Sequence, residues 1–406
     1  MKIKFFIILI IMSVISLVSS FAFANTNEDL KTVVNANSNF GFDLYQELKD
    51  KKGNLFFSPY SISTALAMTY AGARNQTEKE ISDVLHFSSK QEPLHSSFSK
   101  LQSDLNAIKN KGHINLSITN SLWAQEGYHF LDTFFDLIEK NYGVGLNFVD
   151  FATKPEAARR TINVWVEDKT QRKIKELLKP GMIDSFATLV LCNAVYFKGD
   201  WLSQFDKERT IDADFYVSPA KTIKVSMMSQ KSKFKFKDCN DFIAIELPYE
   251  GNDLSMIVFL PKENNGLAEL ERNLTNDNVK NWINELSSSY RSEILVCLPK
   301  FKTTCEFELA NVFAEMGMPS AFSLPPADFS GMTGKKDLFI SKVIHKAFVD
   351  VNEEGTEAAA ATAVVMRREA ISKPLTFLAD HPFVFLIREN ITGSILFIGR
   401  IIDPTK

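Results

Sequence analysis

The sequence predicts one folded unit of the α+β class, and three observations support this prediction. The chain has 406 residues, 45% of them hydrophobic and 23% charged, which is enough apolar material for a large core and excludes wholesale disorder. Helical periodicity dominates the early segments, and β-rich runs dominate the later ones. Neither an internal repeat nor a long linker divides the sequence, so we expect one domain rather than several.

The predicted helices begin with two apolar-periodic segments, residues 30–48 and 61–73. A third helix is expected to begin at Gln76, with Thr77 and Glu80 forming a capping box. The clearest amphipathic helix spans residues 155–178, because its apolar residues recur at three- and four-residue steps and Pro180-Gly181 follows it.

The predicted strands are apolar or β-rich runs. Residues 188–197 are nearly all apolar, which is typical of a central strand covered on both faces. Residues 338–351 form a long β-rich run. Two hairpins are predicted, one from residues 243–248 and 254–261 and the other from residues 383–388 and 394–401, because each pair flanks a short polar turn.

Residues 1–24 have the pattern of a secretory signal peptide. Lysines precede an apolar run over residues 5–17, and Ala22-Phe23-Ala24 is a small-x-small cleavage site. We expect cleavage before Asn25 and a single mature domain of residues 25–406; an uncleaved anchor is the alternative. The predicted location is secreted or extracellular, which means periplasmic if the host is Gram-negative.

Charge and motifs exclude several classes of function. The formal net charge is −3, so a nucleic-acid partner is not expected. The sequence contains no G-x-S-x-G, H-E-x-x-H or Gly-rich phosphate motif and no paired metal-ligand spacing, so we expect no catalytic centre, no metal and no cofactor. No segment after the leader has 18 consecutive apolar residues, so stable membrane association is not expected.

The four cysteines are predicted to be buried free thiols. Cys192, Cys239, Cys297 and Cys305 contain no C-x-x-C pair, so neither a zinc site nor a redox motif is indicated. Cys297 and Cys305 lie in one β-rich stretch, whose extended length would hold them too far apart for a disulfide. Without disulfides or a metal, the fold must be stabilised by its hydrophobic core.

One segment after the long predicted strand has an unusual composition. Residues 353–362 are Glu-Glu-Gly-Thr-Glu-Ala-Ala-Ala-Ala-Thr, and alanine propensity alone favours a solvated surface helix. With a period of two, one face carries only uncharged side chains: Thr356, Ala358, Ala360, Thr362, Val364 and Met366. Such a face would allow the segment to enter a sheet, because small uncharged side chains can be buried without a large penalty.

Five motifs follow one another between residues 54 and 404. They are residues 54–62 (NLFFSPYSI), 193–201 (NAVYFKGDW), 298–301 (LPKF), 328–331 (DFSG) and 381–385 (HPFVF). In order and spacing this series resembles the serpin family, although each motif alone would be weak. Residues 354–362 are similar to the hinge of inhibitory serpins, and this favours insertion over a surface helix.

The resemblance implies a serpin fold of three β-sheets and eight or nine helices, with an exposed reactive loop at about residues 353–380. It also implies a monomer whose partner is a target protease, of the serine class first and the cysteine class second. In this family the cleaved loop inserts into the main sheet and traps the acyl-enzyme. The implied hinge consists of Glu353, Glu354, Gly355, Thr356, Glu357, Ala358, Ala359, Ala360, Ala361 and Thr362.

Four further residues match family positions near the place where the sheet opens: Ser58, Asn193, His345 and Trp201. The resemblance implies that the first three form a polar latch whose hydrogen bonds exchange as the strands separate. For His345 the alternative is an ordinary core histidine with satisfied hydrogen bonds. For Trp201, which matches the position where the loop enters the sheet, the alternative is ordinary core packing.

The scissile bond stays open among three positions. The spacing typical of the family points from Glu353 to Glu369-Ala370, which needs a protease that accepts an acidic side chain. Arg368-Glu369 suits trypsin-like enzymes, whose specificity pocket carries a carboxylate. Arg367-Arg368 is the third candidate.

A row of lysines is the one candidate for a further ligand. Lys231, Lys233, Lys235 and Lys237 alternate along a predicted strand. A solvated strand face is the commoner meaning of such a row, and a polyanion such as a glycosaminoglycan is the alternative.

Two classes of function remain. The first is a secreted suicide inhibitor of proteases, and the alternative is a non-inhibitory serpin that acts as a carrier, chaperone or storage protein. Position 356 separates them, because a charged or bulky side chain there would block insertion and threonine does not.

Overall fold

The computed structural model describes residues 27–88, 90–354 and 375–406. The ten α-helices of these residues are α1 (27–48), α2 (Pro59–Tyr70), α3 (Asn75–Val84), α4 (Gln91–Lys109), α5 (Asp132–Tyr142), α6 (Pro155–Lys169), α7 (Leu267–Arg272), α8 (Asn276–Ser287), α9 (Ala310–Met316) and α10 (Ser330–Thr333). Their fourteen strands are β1 (Leu55–Phe57), β2 (Ile114–Gln125), β3 (Leu146–Val149), β4 (Leu189–Gly199), β5 (Ile211–Ser218), β6 (Lys221–Asp238), β7 (Phe242–Pro248), β8 (Leu254–Pro261), β9 (Arg291–Pro299), β10 (Phe301–Glu308), β11 (Ile340–Val351), β12 (Leu375–Leu378), β13 (Phe383–Glu389) and β14 (Ile395–Ile401). Three short 3-10 turns lie at Lys207–Arg209, Glu250–Asn252 and Pro319–Phe322.

Five strands form one sheet in the order β10-β11-β4-β2-β3. Its two central strands, β4 and β11, are parallel neighbours that pair from Leu189 opposite Ile340 to Phe197 opposite Val349. The predicted central strand is confirmed as β4, in which ten of the eleven residues are buried. A parallel pair at the centre of a sheet needs cover on both faces, and the near-continuous apolar run of β4 provides it.

The other nine strands form one hydrogen-bonded network. Eight of them follow the order β1-β14-β13-β8-β7-β6-β9-β12, and the ninth, β5, pairs with β6. Strand β6 is 18 residues long and joins two parts of this network. Residues 221–227 of β6 pair with β5, residues 227–235 pair with β9, and residues 235–238 pair with β7. The α+β class predicted from the sequence is therefore confirmed, and the described strands form two hydrogen-bonded sheets, the larger of which is continuous through β6.

Alternate residues of β4 belong to two separate cores. Leu189, Leu191 and Val195 face the large core shared with α2 and the nine-stranded network. Val190, Cys192 and Ala194 face a smaller core formed with α6 and the segment that follows it. This division follows from the two-residue period of a strand, and it places α6 as a cover on the outer face of the five-stranded sheet.

The prediction of a helix over residues 155–178 is wrong at the C-terminal end, because the observed helix is shorter. Helix α6 ends at Lys169, and Gln171 and Arg172 adopt positive φ angles of 51° and 61°. The hydroxyl of Thr170 closes the helix by donating to the carbonyl of Val166 (2.7 Å) and accepting from the amide of Ile174 (3.3 Å). The later apolar residues of the predicted stripe, such as Leu178, are still buried in the same core, so the pattern predicted burial correctly and helix incorrectly.

The predicted capping box is also wrong. Helix α3 begins at Asn75 with Arg74 as its N-cap residue, and the Thr77 hydroxyl accepts from the amide of Asp328 (3.0 Å) instead of capping. The Glu80 carboxylate accepts from the amide of Ser320 (2.9 Å). Both side chains therefore join α3 to the segment before α10, which is a tertiary role that local spacing does not distinguish from capping.

The remaining predicted elements are confirmed with small shifts in their bounds. The first helix spans 27–48, and the second begins at Pro59 rather than residue 61 because Ser58 is its N-cap. Both hairpins form, as β7–β8 and β13–β14. The four cysteines are free, with Cys192 and Cys305 buried and Cys239 and Cys297 half-buried rather than fully buried. In the described part of the chain, no helix combines the length and the apolar character needed to cross a membrane.

Candidate functional site

A row of polar side chains crosses one face of the five-stranded sheet where β4 and β11 pair. We call this line of pairing the seam. His345 of β11 pairs in register with Asn193 of β4, which pairs in turn with Asn120 of β2. On its other side His345 pairs with Phe307 of β10. Period-two geometry points Asn193 and His345 toward the same face of the sheet, where the N-terminus of α2 supplies Ser58 and Ser61.

Hydrogen bonds connect this row continuously. The backbone N–H of Ser58 donates to Nε2 of His345 (3.2 Å), so the ring proton lies on Nδ1 and is donated to Oδ1 of Asn193. The Asn193 amide then donates to Ser61 Oγ and to Asn120 Oδ1. One histidine tautomer and one amide orientation therefore account for all of these contacts.

The cluster is neutral and, apart from the half-buried Asn120, buried. Burial lowers the pKa of His345 from its ordinary value to about 3, because the charged ring would lose its hydration. The ring of Phe307 stacks on His345 with centroids 6.2 Å apart and an interplanar angle of 13°. The seam is thus held from below by exchangeable hydrogen bonds between uncharged groups, with no charge to be exposed when they break.

Two members of the cluster, Ser61 and Asn120, escaped the sequence reasoning. Ser61 lies inside a predicted motif but has no distinguishing local signal, since serine is common in the first turn of a helix. Asn120 lies between Thr119 and Ser121 in β2, so its local sequence does not distinguish it from its polar neighbours. Its partner could be known only from the strand register.

Trp201 lies away from this cluster, just beyond the C-terminal end of β4. Its indole N–H donates to the carbonyl of Asn352 (2.9 Å), and its ring stacks on Tyr249 with centroids 4.6 Å apart. Asn352 is the first residue after β11. The tryptophan therefore joins the exits of β4 and β11 at the point where the predicted hinge begins.

Glu353, the first predicted hinge residue, is held by several contacts. Its carboxylate pairs with Lys300 (2.8 Å) and accepts from the Thr210 hydroxyl (2.8 Å), and its carbonyl accepts from the amide of Phe205 (3.0 Å). Burial opposes ionisation of this carboxyl, but the hydrogen bonds from Lys300 and Thr210 outweigh burial and lower its pKa below the ordinary value. Glu354 forms an ion pair with Lys207.

The other predicted hinge and scissile residues lie outside the described residues. These are Gly355 to Thr362, together with Arg367, Arg368, Glu369 and Ala370. The chain resumes at β12, which pairs in parallel with β9 from Leu375 opposite Ile294. The structure therefore places both ends of the predicted loop and leaves the choice of scissile bond open.

Comparison with known proteins agrees with this arrangement. The family model for serpins, described as serine protease inhibitors, matches residues 35–404. The chain belongs to the serpin family. It is therefore placed among protease inhibitors and not among enzymes.

Curated relatives and solved structures cover nearly the whole serpin chain. Leukocyte elastase inhibitor of Equus caballus is 44% identical over 377 residues, which is 91% of this chain and 98% of the relative. The protein of the same name from Homo sapiens is 42% identical over 383 residues, 92% of this chain and 100% of the relative. Uncleaved ovalbumin (TM-score 0.84, 31% identity, 92% and 100% coverage) and maspin (TM-score 0.85, 28% identity, 93% and 100% coverage) share its fold.

The lysine row of this serpin lies on β6 and is largely neutralised. Lys231 pairs with Glu293 (2.7 Å), Lys235 with Glu246 (3.2 Å) and Lys237 with Glu285 (3.2 Å). A polyanion would have to compete with these carboxylates, so the arrangement favours the solvated strand face over a glycosaminoglycan site.

Proposed function

We propose that this serpin is a secreted suicide inhibitor of serine proteases that inserts its cleaved loop between β4 and β11. The observation that carries the proposal is the position of the alanine-rich tract, which follows β11 directly. A segment that turns back after β11 and enters the seam would run antiparallel to both β11 and β4, because those two strands are parallel to each other. The inserted strand would then have hydrogen-bonding neighbours on both sides.

The seam is suited to such opening. The groups beneath it are neutral, so parting the strands exposes no buried charge, and their hydrogen bonds can be remade with the entering strand. The tract contributes an uncharged face of small side chains. Insertion would add about ten ladder hydrogen bonds of about 1 kcal/mol each, net of lost hydration.

The outer face of the seam is covered, and this cover must move during insertion. Ile162 of α6 shares a core with Cys192 of β4 and Ile344 of β11. The segment after α6 is held by Lys346 of β11, whose ammonium donates to the carbonyl of Lys175 (2.9 Å). Insertion therefore requires α6 and this segment to lift and repack, which makes the closed form a kinetically protected state.

Trapping follows from what insertion does to the bound protease. The attacked bond becomes an ester to the protease serine, and movement of the loop pulls that ester away from the catalytic groups. Loss of one oxyanion donor alone slows acyl transfer by roughly 100- to 1,000-fold. Loss of several contacts together would leave the acyl-enzyme long-lived.

The target protease is proposed to belong to the serine class. The relatives named leukocyte elastase inhibitor support this class. Glu369-Ala370, Arg368-Glu369 and Arg367-Arg368 stay the candidate bonds from spacing. An elastase would instead cut after Ala370, because its specificity pocket accepts small side chains.

The test uses the mature protein with trypsin-like, elastase-like and Glu-specific proteases. We expect a covalent complex with at least one of them that survives boiling in SDS, and mass spectrometry of the released C-terminal peptide identifies the bond. Thr356→Arg should convert the inhibitor into a substrate, since its charge would have to be buried, whereas Thr356→Ser is the matched control that still traps. Cleavage of the wild type by all proteases without any complex would favour the carrier, chaperone or storage alternative.

Export is proposed on the leader alone. Sequencing of the N-terminus of protein recovered outside the producing cell should begin at Asn25. Recovery of a chain that keeps residues 1–24 in the membrane fraction would instead support the uncleaved anchor.

A further inference from the structure

Three side chains of the kinds that bind metals meet at one end of the β2–β4 pair. They are His113, just before β2; Asp200, just after β4; and Glu250, in the turn between β7 and β8. One ligand atom of each lies within 4.8 Å of those of the other two, and Nδ1 of His113 is 3.8 Å from Oε1 of Glu250. The three residues are distant in sequence, so only the fold brings them together.

Backbone hydrogen bonds fix the positions from which these side chains project. The amide of Asp200 donates to the carbonyl of His113 (3.1 Å), and the amide of Glu250 donates to the carbonyl of Asp200 (2.7 Å). Tyr249, next to Glu250, bridges to Trp201, next to Asp200. The backbone from which the three side chains project is therefore held in place at the ends of the sheets, as a binding site requires.

The imidazole of His113 and the carboxylate of Glu250 are available as ligands. Within the described residues neither side chain makes a hydrogen bond, and their 3.8 Å separation is too long for one. The nearby ammonium of Lys111 contacts both carboxylate oxygens of Asp253 at 2.8 Å and so is engaged elsewhere. Ligands about 2.0–2.2 Å from a tetrahedral zinc ion lie roughly 3.3–3.6 Å apart, so a small inward shift of the two side chains would close the site.

The donor set selects the class of metal. One imidazole nitrogen with two carboxylate oxygens suits zinc and its transition-metal neighbours, whereas calcium and magnesium prefer oxygen alone. Asp200 is 7% exposed, while the side chains of His113 and Glu250 are each 44% exposed, which leaves a path from solvent. We propose that His113, Asp200 and Glu250 bind one divalent transition-metal ion, with zinc as its probe and water in the remaining position.

The site adjoins the hinge. Asp200 directly precedes Trp201, whose indole holds the carbonyl of Asn352. A bound ion joins the end of β4 to the β7–β8 turn and stabilises the protein in which this arrangement is intact. At a zinc concentration about a hundredfold above Kd, binding should raise the thermal midpoint by about 3 °C.

The test is zinc binding by tag-free mature protein, measured in competition with a chromogenic chelator. We expect one ion per chain, with affinity reduced about tenfold or more in His113→Ala and in Glu250→Gln. His129→Ala is the matched control, because His129 is an exposed histidine elsewhere on the surface, and its affinity should equal that of the wild type. Using two ligand variants keeps the result decisive if one of them folds poorly.

Cobalt substitution checks which atoms bind. The expected spectrum has d–d bands without thiolate-to-cobalt charge transfer, because no cysteine belongs to the site. A thiolate band, the absence of binding by the wild type, or unchanged affinity in both ligand variants would each overturn the assignment. The readout is binding alone, so failure here leaves the proposed inhibition untouched, and loss of protease trapping leaves the metal site untouched.

Discussion

The β4–β11 seam and the β13–β14 hairpin are both buried strand pairs, but different forces hold them. The centre of the hairpin is packed by aromatic rings: Phe56 of β1 stacks on Phe385 and Phe397 with centroids 5.9 and 4.9 Å away. Phe385 lies so close over Gly399 that an added Cβ would be 2.3 Å from its ring. The seam is also packed in apolar cores, but at its centre it carries a buried polar cluster in which Asn193, His345 and the start of α2 are joined by hydrogen bonds.

This difference bears on which strand pair can open. Close apolar packing loses its contacts as soon as the surfaces part, and nothing else in the protein replaces them. Neutral hydrogen-bonding groups can exchange one partner for another at little net cost. The seam is therefore the strand pair suited to accept a new neighbour, and the hairpin is part of the frame that stays fixed.

The largest expected effect comes from cutting the loop. If the tract enters the seam, about ten added hydrogen bonds at about 1 kcal/mol each should raise the thermal midpoint by about 10 °C in a chain of this length. Calorimetry before and after nicking measures the change. The control is nicked Thr356→Arg, whose loop should stay outside the sheet. An equal rise of the thermal midpoint in that variant would show that insertion at the seam is not the source of the stabilisation.

Next in size is the loss of apolar packing in the hairpin. Phe385→Ala removes a fully buried ring and should lower the free energy of unfolding by about 3–5 kcal/mol. Because the hairpin belongs to the fixed frame, we expect the same loss in intact and nicked protein, measured by denaturant unfolding. A loss confined to one form would show that the hairpin also rearranges.

Acid should weaken the intact protein through its buried histidines. The pKa of His345 is lowered to about 3 and that of His95 to about 4, both by burial. Between pH 6.5 and 5 the unfolded chain takes up protons that the folded chain does not, so stability falls as the pH falls, by up to about 1.4 kcal/mol per pH unit for each histidine. Carboxyls with lowered pKa, such as Glu353, lose their contribution only at lower pH.

His345→Gln sharpens this test. The slope of the unfolding free energy with pH should fall by about half in this variant and by a similar amount in His95→Gln, which removes a buried histidine of α4 that bonds to Tyr142 and is not a member of the polar cluster. Only the His345 substitution should also alter the rate of loop insertion. Equal insertion rates in both variants would show that the polar cluster has no role in loop insertion.

The smallest effect is expected at the base of the loop. Glu353→Gln breaks the pair with Lys300 while keeping a hydrogen-bond acceptor for Thr210, and it should cost about 1–2 kcal/mol because the carboxylate is buried. Glu293→Gln breaks the exposed pair with Lys231 and should change stability by less than about 0.5 kcal/mol. Urea midpoints of the two variants compare them directly, and equal midpoints would show that burial of Glu353 adds nothing.

Local patterns predicted the parts of the fold that depend on neighbouring residues. The apolar run of β4 and the polar turns of both hairpins are properties of short segments, and these elements formed as expected. The end of α6 was missed because Gln171 and Arg172 adopt left-handed conformations. A glycine or asparagine usually occupies such a position and makes the end of a helix recognisable in the sequence. Thr77 and Glu80 were misjudged because their partners lie more than two hundred residues away.

The same division applies to the candidate site. Ser58, Asn193, His345 and Glu353 were predicted because motifs contain them, and the structure brings the first three into contact. Asn120 and Thr210 lie outside those motifs, and Lys300 lies inside the motif of residues 298–301 without any role assigned to it; each becomes a partner only through strand register or a long-range contact. Side chains whose role depends on distant neighbours are those that a single sequence cannot assign.

The four unpaired cysteines bear on how this protein can be produced. Desolvation raises the pKa of all four thiols above the ordinary value, and a protonated thiol is a poor nucleophile toward disulfides. Folding consequently requires neither disulfide oxidation nor a disulfide isomerase. The same chain should fold identically in a reducing cytoplasm and in an oxidising exterior, and expression without a secretion system is a sound route to active material.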